Sequence, residues 1–361
     1  MAKKKVVRAK TLLTPTPALI LDFGNAFVKF VCGVLTRMYP HSLALLNELQ
    51  YTQALATPQV AAQDFLSLDG KYYAVGASAQ EYKVTIRTGR AKYVKDYIGP
   101  FFCRAVAELF VNTPELLADG LEVMASHASG DQEFDTLLAE SLMGHWEFTA
   151  AKQKFSFDVS AVSTYTETFG SYVYRGIVQT DVGYETPLYG SSIGIIDIGG
   201  GTCSVLKVNE EGAIVSNSGK SSPQGINDVL ERFEALLNVS HRDRFQNSRR
   251  ISRSRLDDAL RTGIYRGGGT SFNVTDEREQ AFIPLLNEVN SMWIANLGGG
   301  NDIDTVLLAG GGSVTSQESI TEMLGHEDVQ MTDTSRGLMY VQLTNVHGAK
   351  TFYELTHEAV R

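Results

Sequence analysis

Cysteine is scarce in this sequence, which indicates the redox state of the compartment in which the protein works. Only three cysteines occur in 361 residues, at positions 32, 103 and 203, and none of them forms a CxxC pair. An odd count without a secretory signal indicates a reducing, cytoplasmic compartment rather than a disulfide framework. None of the seven histidines is spaced like a zinc ligand, and no Ser, His and Asp set for acyl transfer stands out. A thiol- or zinc-based activity is therefore not expected.

Long apolar runs and an excess of positive charge are missing too. No window approaches the ~20 apolar residues of a membrane span. Prolines and threonines interrupt the basic segment 1–17, so we interpret it as a disordered, solvated leader rather than a signal peptide. The net charge of −9 argues against direct nucleic-acid binding, which depends on many Lys and Arg contacts to phosphates. With 43% hydrophobic residues, the chain is expected to form two soluble domains.

Two glycine turns, each preceded by an aspartate at the end of an apolar run, are the strongest positive signal. Residues 18–29 read ALILDFGNAFVK, and residues 193–205 read IGIIDIGGGTCSV. Asp22 and Asp197 are 175 positions apart (197 − 22), which is about half of the chain. The pair therefore predicts a fold of two related halves. Each sequence is typical of a β-hairpin that presents a carboxylate beside bare backbone amides.

These turns contain the groups that hold a phosphate chain and its metal ion. Mg²⁺ keeps most of its water and is usually held by one or two carboxylates plus substrate phosphates. Glycines lack Cβ, so backbone amides can approach phosphate oxygens closely. Asn25 and Thr202 add side-chain donors, and Lys29 could reach back over the first turn. Either hairpin alone could be an ordinary turn, but three successive glycines in the second cost backbone entropy without an evident packing return.

A third glycine cluster, Gly310, Gly311 and Gly312 followed by Ser313, comes after an apolar strand and before a predicted helix. Such a turn lets a flat nucleobase lie against the backbone. The cluster lacks the last glycine of the dinucleotide fingerprint. A Walker A loop is also absent, because Ile214 stands where its first glycine is required, and we interpret Lys220 as a solvated loop lysine.

Hydrophobic periodicity predicts the main secondary-structure elements. The predicted helices are Gly99–Leu117, one around Gly170–Tyr174, Gly225–Leu237, Glu277–Leu297 and one from Gln317 to Leu324. The predicted strands are Lys71–Gly76, Leu121–Ala125, two antiparallel strands between Trp146 and Thr166, the hairpin Ile193–Val208, a third meander strand at Ala213–Asn217, and Asp304–Leu308. The tail, Leu343–Ala349 and then Phe352–Leu355, is expected to close against the first domain.

The three motifs together resemble the actin/Hsp70/sugar-kinase superfamily. The phosphate-1 motif is similar to residues 22–29, the phosphate-2 motif to residues 197–202, and the adenosine motif to residues 307–313. Within it, the chain looks most like the bacterial and archaeal ParM/StbA plasmid-segregation proteins, through residues 72–76, 166–171 and 344–348. The resemblance implies an α/β fold of duplicated ribonuclease H-like (actin-like ATPase) domains with the nucleotide in the cleft between them. Its domains would be 18–180, with a small inserted lobe at about 50–97, and 181–336, with 337–361 returning to the first.

The resemblance also implies residue roles. Asp22 and Asp197 would position Mg²⁺ and its water, and Glu167 would polarise the attacking water. The phosphates would contact Gly24, Asn25, Lys29, Gly199, Gly200, Gly201 and Thr202, and the base and sugar would contact Gly310, Gly311, Gly312 and Ser313. Ser204 departs from the pattern, because many relatives have an acidic residue there. Ribose contacts could come from Arg253, Arg255, Asp257 and Asp258, although a solvated charged face explains that region as well.

The function implied is that of a cytoplasmic NTPase that polymerises with ATP or GTP and Mg²⁺ and disassembles after hydrolysis, for plasmid or DNA segregation. Its partners would be further copies of itself and a DNA-binding adaptor protein, with no membrane and no direct nucleic-acid contact. Two alternatives stay open at this point: a small-molecule kinase of the same superfamily, and a nucleotide-dependent scaffold.

Overall fold

The computed structural model describes residues 17–358, apart from 58–60, 86, 88, 128–131, 181–182, 246–250, 268 and 334–337. All of the predicted leader except Pro17 lies outside this range. The elements of the first half are β1 Ala18–Phe23, β2 Phe27–Cys32, β3 Leu35–Pro40, β4 Leu43–Leu46, α1 Glu48–Ala56, β5 Phe65–Leu68, β6 Lys71–Val75, β7 Val84–Thr85, α2 Lys95–Phe110, β8 Leu121–His127, α3 Gln132–Leu142, β9 Gly144–Ala150, β10 Gln153–Thr166 and α4 Glu167–Gly176.

The second half follows with β11 Val178–Thr180, β12 Gly183–Glu185, β13 Ile193–Ile198, β14 Cys203–Val208, β15 Lys220–Ser222, α5 Ile226–Ser240, α6 Arg242–Phe245, α7 Arg253–Thr262, β16 Ile264–Gly267, β17 Thr270–Asn273, α8 Thr275–Leu297, β18 Thr305–Ala309, α9 Gly311–Leu324, β19 Val329–Met331 and α10 Leu338–Glu358. Short 3₁₀ helices occupy Ala62–Asp64, Gly76–Glu81, Gly89–Lys92, Pro114–Leu117 and Gly298–Gly300.

Two sheets repeat one five-strand pattern. In the first, β3-β2-β1 form an antiparallel meander, β8 lies parallel to β1, and β10 lies parallel to β8. In the second, β15-β14-β13 form the meander, β18 lies parallel to β13, and β19 lies parallel to β18. The order and the directions are the same in both sheets, which confirms the predicted α/β fold with duplicated halves.

The first sheet is longer than the second because five more strands extend it. They continue beyond β10 in the order β9-β5-β6-β4-β7. Three of them, β5, β6 and β7, come from the segment predicted as an inserted lobe, and β5 joins β9 directly. The segment 50–97 therefore adds its strands to the main sheet.

Each sheet has its own hydrophobic core. Phe101 and Phe102 of α2 are fully buried in the first, together with Trp146 of β9. Phe233 of α5 and Phe282 of α8 are buried in the second. Apolar burial at roughly 25 cal/mol per Å² is the main stabilising term in cores of this kind. The glycine turns lie at strand ends beside these two packed cores.

Helices α4 and α10 cross at two glycines. A Cβ on Gly170 would lie 2.4 Å from the carbonyl oxygen of Asn345, and a Cβ on Gly348 would lie 1.7 Å from the carbonyl oxygen of Gly170. The two backbones therefore touch at this crossing. Helix α10 also packs on β1 and β2.

Most predicted elements are confirmed, and three predictions need correction. The third meander strand is not Ala213–Asn217, where only Ile214 bridges to Val208; it is β15, because Asn217 at φ +61° bends the chain out of the ladder. Helix α9 begins at Gly311 rather than Gln317, directly after Gly310 at φ +78° ends β18. Helix α2 ends at Phe110, before the separate 3₁₀ turn at Pro114. Across the described ranges, no helix is long and apolar enough to cross a bilayer.

Candidate functional site

The two predicted glycine turns lie against each other. A Cβ on Gly200 would lie 2.8 Å from Cβ of Ala26, and a Cβ on Gly201 would lie 3.0 Å from Nδ2 of Asn25. Both turns follow equivalent strands, β1 and β13, of the two repeated sheets. The duplication therefore brings together two motifs that are half a chain apart in sequence.

Asp22 forms the first wall of the site and is neutralised locally. Its carboxylate is fully buried. Its Oδ2 accepts a hydrogen bond from Nζ of Lys29 at 2.7 Å, and its Oδ1 accepts one from Oγ of Ser126 at 3.1 Å. Lys29 stands directly opposite Asp22 on β2. Lys29 therefore forms an ion pair with Asp22, and its predicted contact with the phosphates stays a prediction.

Asp197 forms the second wall and has no such lysine. It is 4% exposed, and its Oδ2 accepts a hydrogen bond from Nδ2 of Asn345 at 3.3 Å. Its cross-strand partner is Ser204, whose hydroxyl lies 2.8 Å from that of Ser221. Burial raises the pKa of Asp197, and the negative charge of Asp22 adds to the rise, against the opposing effects of Lys29 and Asn345. The electrostatic influence of Asp22 and Lys29 on Asp197 shows that both walls face one site.

Glu167 begins α4 and completes the acidic set. Its pKa is raised from 4.5 to about 8, chiefly by burial and then by the charges of Asp22 and Asp197, against the attraction of Lys92 and Lys29. Burial alone would lower the pKa of Lys29, but the charge and hydrogen bond of Asp22, together with the charges of Glu167 and Asp197, raise it overall. The site therefore brings together three carboxylates, and the field of the other two favours the protonated form of Glu167.

Three residues of the site were missed from the sequence. Lys92 is 4% exposed, and its Nζ donates a hydrogen bond to Oδ1 of Asn25 at 3.1 Å. His41 is 8% exposed, its Nδ1 contacts the carbonyl oxygen of Gly24, and burial together with Lys92 lowers its pKa to about 3. Asn345 is the donor to Asp197. Nothing local marks these residues as buried, since each reaches the site through long-range packing.

The second glycine turn is shaped by helix α5. The amide of Gly199 donates to the carbonyl of Thr202 at 2.8 Å, and the carbonyls of Gly199 and Gly200 accept from the first amides of α5, at 3.1 and 2.8 Å. A Cβ on Gly225 would lie 2.7 Å from the carbonyl oxygen of Gly200. The glycines of this turn are therefore needed for close packing against α5, a structural reason that the sequence did not indicate. Within the described part of the chain, the amides of Gly200 and Gly201 donate to no protein group.

The third glycine cluster packs against the second wall. At Gly310 a Cβ would lie 2.3 Å from Oδ1 of Asp197, and at Gly312 it would lie 2.5 Å from Cγ2 of Ile198. At Gly311 it would lie 2.8 Å from Nε2 of Gln342 on α10. Ser313 is fully buried, and its hydroxyl donates to the carbonyl of Ala309 rather than facing the cleft. The structure thus brings the cluster to Asp197, while the Ser313 hydroxyl is bonded to the last residue of β18.

The region considered for ribose contacts lies partly beside the turns. Arg253 on α7 donates to Oδ1 of Asn227, whose Nδ2 would lie 3.4 Å from a Cβ on Gly200. A cavity of about 320 Å³ opens here, lined by Arg253 and Asn227 among others. Asp258 instead pairs with Arg261 at 3.0 Å and Arg266 at 3.3 Å on an exposed face. Of the predicted set, Arg253 contacts the residue beside the second turn.

The acidic pair fits a magnesium ion by its chemistry. Mg²⁺ takes hard oxygen ligands and needs only one or two carboxylates when phosphates supply the rest. Asp22 and Asp197 are buried carboxylates, each beside one of the two glycine turns. Within the described ranges, no cluster of three or more Asp, Glu, His or Cys side chains could enclose a metal by itself. A metal here would be shared with a ligand.

Comparisons with known proteins identify the fold. No family model and no curated protein matches the sequence. Among solved structures, the archaeal actin homologue Ta0583 matches at 16% identity with a TM-score of 0.73, over 94% of this chain and 99% of that one. A 15-stranded ParM filament from Clostridium botulinum matches at 13% identity and a TM-score of 0.65, over 95% and 100% of the two chains. Bacillus thuringiensis ParM with ATP matches at 15% identity and 0.61, over 94% and 99%. The chain therefore has the actin-like fold of these proteins.

Proposed function

We propose that this chain is an actin-like NTPase that binds ATP or GTP with Mg²⁺ between its two sheets, assembles into filaments, and disassembles after hydrolysis. The domain division 18–180 and 181–336, with 337–361 returning to the first, is part of this proposal. So are cytoplasmic location and a role in plasmid or DNA segregation through a DNA-binding adaptor. Ta0583 has been solved with ADP and a ParM with ATP, which supports nucleotide binding on this fold.

One observation carries the proposal: two buried aspartates lie at equivalent strand ends, and their glycine turns touch. A phosphate chain between the turns would meet the amides of Gly200 and Gly201 on one side, and Lys29 and Asn25 on the other. Such positioning and charge stabilisation are the main requirements of phosphoryl transfer. Mg²⁺, when held by Asp22, Asp197 and the phosphates, would supply charge neutralisation of the phosphate oxygens.

Glu167 is suited to act as the general base. A pKa of about 8 makes the carboxylate form of Glu167 a stronger base than that of an ordinary glutamate, and a minor fraction of the free protein has this form at neutral pH. It begins α4, which packs on α10, so its position is fixed by helix packing. We propose that Glu167 accepts the proton of the water that attacks the terminal phosphate, while Lys29 and the turn amides hold the phosphate in place.

Filament formation is supported by the structural relatives, which include a ParM filament. A head-to-tail contact that does not close generates an open polymer. The direct test is negative-stain microscopy and pelleting of the purified protein with Mg²⁺ and either ATP or GTP. We expect polymer with at least one triphosphate and none without nucleotide. A protein that stays monomeric at high concentration with both nucleotides would contradict the filament proposal, and substrate-stimulated ADP release without polymer would favour the kinase alternative.

The role of Glu167 is tested by Glu167→Gln, with the exposed Glu211→Gln as the matched control. We expect phosphate release to fall about 10²- to 10⁴-fold in Glu167→Gln, the range for loss of a general base, and polymer to persist. Glu211→Gln should retain the wild-type rate of phosphate release and the wild-type lifetime of the polymer. An unchanged turnover in Glu167→Gln would remove Glu167 from catalysis.

A further inference from the structure

Lys92 is a buried cation whose hydrogen-bonding capacity is only partly met. It ends the 3₁₀ helix Gly89–Lys92 and is 4% exposed. An ammonium has three protons to donate, and in the described part of the chain Nζ of Lys92 has one acceptor, Oδ1 of Asn25 at 3.1 Å. Burying an ammonium without an ion pair is costly. The free protein therefore holds Lys92 in a state that an added anion would improve.

The location of Lys92 identifies which anion. Asn25, its one partner, belongs to the first glycine turn and also touches Gly201 of the second. Burial lowers the pKa of Lys92, and among the charges that oppose this effect Glu167 is the strongest, followed by Asp22. Lys92 thus lies beside the first glycine turn, and its charge interacts with that of Glu167, the carboxylate proposed to activate water. The end of a phosphate chain that reacts must lie near that carboxylate.

The neighbouring cation Lys29 differs from Lys92 in its ion pairing. Lys29 is already paired with Asp22 at 2.7 Å. Lys92, by contrast, makes no ion pair within 4 Å with any carboxylate of the described residues. Its nearest cation–π contact is with its own neighbour, Tyr93, at 5.2 Å from the ring centroid. A lysine with a purely structural role would be expected to pair with a carboxylate. Among the described residues, the ammonium of Lys92 instead donates to the side-chain oxygen of Asn25 in the first glycine turn.

We infer that Lys92 is a further phosphate-contacting residue, which binds the terminal phosphate of the nucleoside triphosphate and so makes the cleft favour triphosphate over diphosphate. This inference rests on the proposed function. Because Lys92 lies on the segment that carries β5, β6 and β7 into the first sheet, the same contact links that segment to the presence of the terminal phosphate.

The test compares Lys92→Met with wild type, with the exposed Lys220→Met as the matched control. Affinities for ADP and for a non-hydrolysable ATP analogue, each with Mg²⁺, are measured by calorimetry, with the guanine nucleotides in parallel. A charge-assisted hydrogen bond contributes roughly 1.5–3 kcal/mol, so Lys92→Met should weaken analogue binding about 10- to 150-fold. Binding of the diphosphate should change less than about threefold, and Lys220→Met should change neither.

Thermal unfolding without nucleotide separates this role from a structural one. Because the ammonium is poorly satisfied in the free protein, Lys92→Met should unfold at the same or a higher temperature than wild type. Equal weakening of both nucleotides, unchanged affinities, or a destabilised or unfolded variant would each overturn the inference. If wild type binds none of the nucleotides, the proposed function itself fails, which is a distinct result.

Discussion

The two walls of the cleft have the same strand geometry, but only the first has a lysine that neutralises its aspartate. Asp22 faces Lys29 across the hairpin, and Asp197 in the equivalent place faces Ser204. On the parallel side, Ser126 donates to Asp22, whereas Asp197 lies beside Ala309. The first wall is neutralised by its own sheet. In the described part of the chain, the second wall has only the hydrogen bond from Asn345 of α10 to offset the charge of Asp197.

The largest expected difference between the walls is in the stability of the free protein. Asp22→Ala leaves the Lys29 ammonium without its partner, and breaking a buried ion pair in this way costs about 3–5 kcal/mol. Asp197→Ala leaves no lysine without a partner and removes a carboxylate that burial disfavours. It should therefore lower the free energy of unfolding by less than about 1 kcal/mol. Urea unfolding measures both. The double variant Asp22→Ala/Lys29→Met should recover much of the loss, and equal costs for the two single variants would break the comparison.

The stability of the second wall is also expected to depend on Gly310 of the third glycine cluster. Gly310 and Gly325 flank α9, and both have positive φ, +78° and +59°. A Cβ on Gly325 meets nothing within 4 Å, whereas one on Gly310 would lie 2.3 Å from Oδ1 of Asp197. Gly325→Ala should therefore cost only the left-handed strain of about 1–2 kcal/mol, and Gly310→Ala about 1 kcal/mol more at the least. Similar unfolding free energies would show that the Asp197 contact gives way easily.

The last prediction concerns the pH dependence of stability that Glu167 confers. The pKa of Glu167 is raised from 4.5 to about 8, so the folded protein holds a proton that the unfolded chain releases between these values. Stability should therefore be lost as pH rises through this window, by at most about 1.4 kcal/mol per pH unit for one proton. Glu167→Gln should flatten the fall between pH 5 and 8, measured by urea unfolding without nucleotide. A slope unchanged by Glu167→Gln would place the pH dependence elsewhere, and Glu211→Gln is the control.

The fold and both aspartates could be predicted from the sequence because their signals are local. A strand, an aspartate and a glycine turn are contiguous, and their recurrence at Asp197 predicts the duplication. Lys92 and His41 could not be predicted as site residues, since their burial depends on tertiary packing. For Lys92, the segment before α2 packs against a turn more than 60 residues earlier in the chain. The strand β15 was misplaced because short edge strands are set by their partners more than by their own residues. The glycines at 310–312 were identified, but only the structure shows that each packs against protein atoms.

The contact between Gly170 and Gly348 has a mechanical consequence. With no side chain between the backbones, α4 and α10 cannot slide along each other without collision, but they can swivel about the point of contact. Asn345, one turn from that point, bonds Asp197 and accepts from Ser171 of α4. A displacement of Asp197 would thereby act close to the pivot, so that a small rotation there would move the far edges of both sheets by a larger distance.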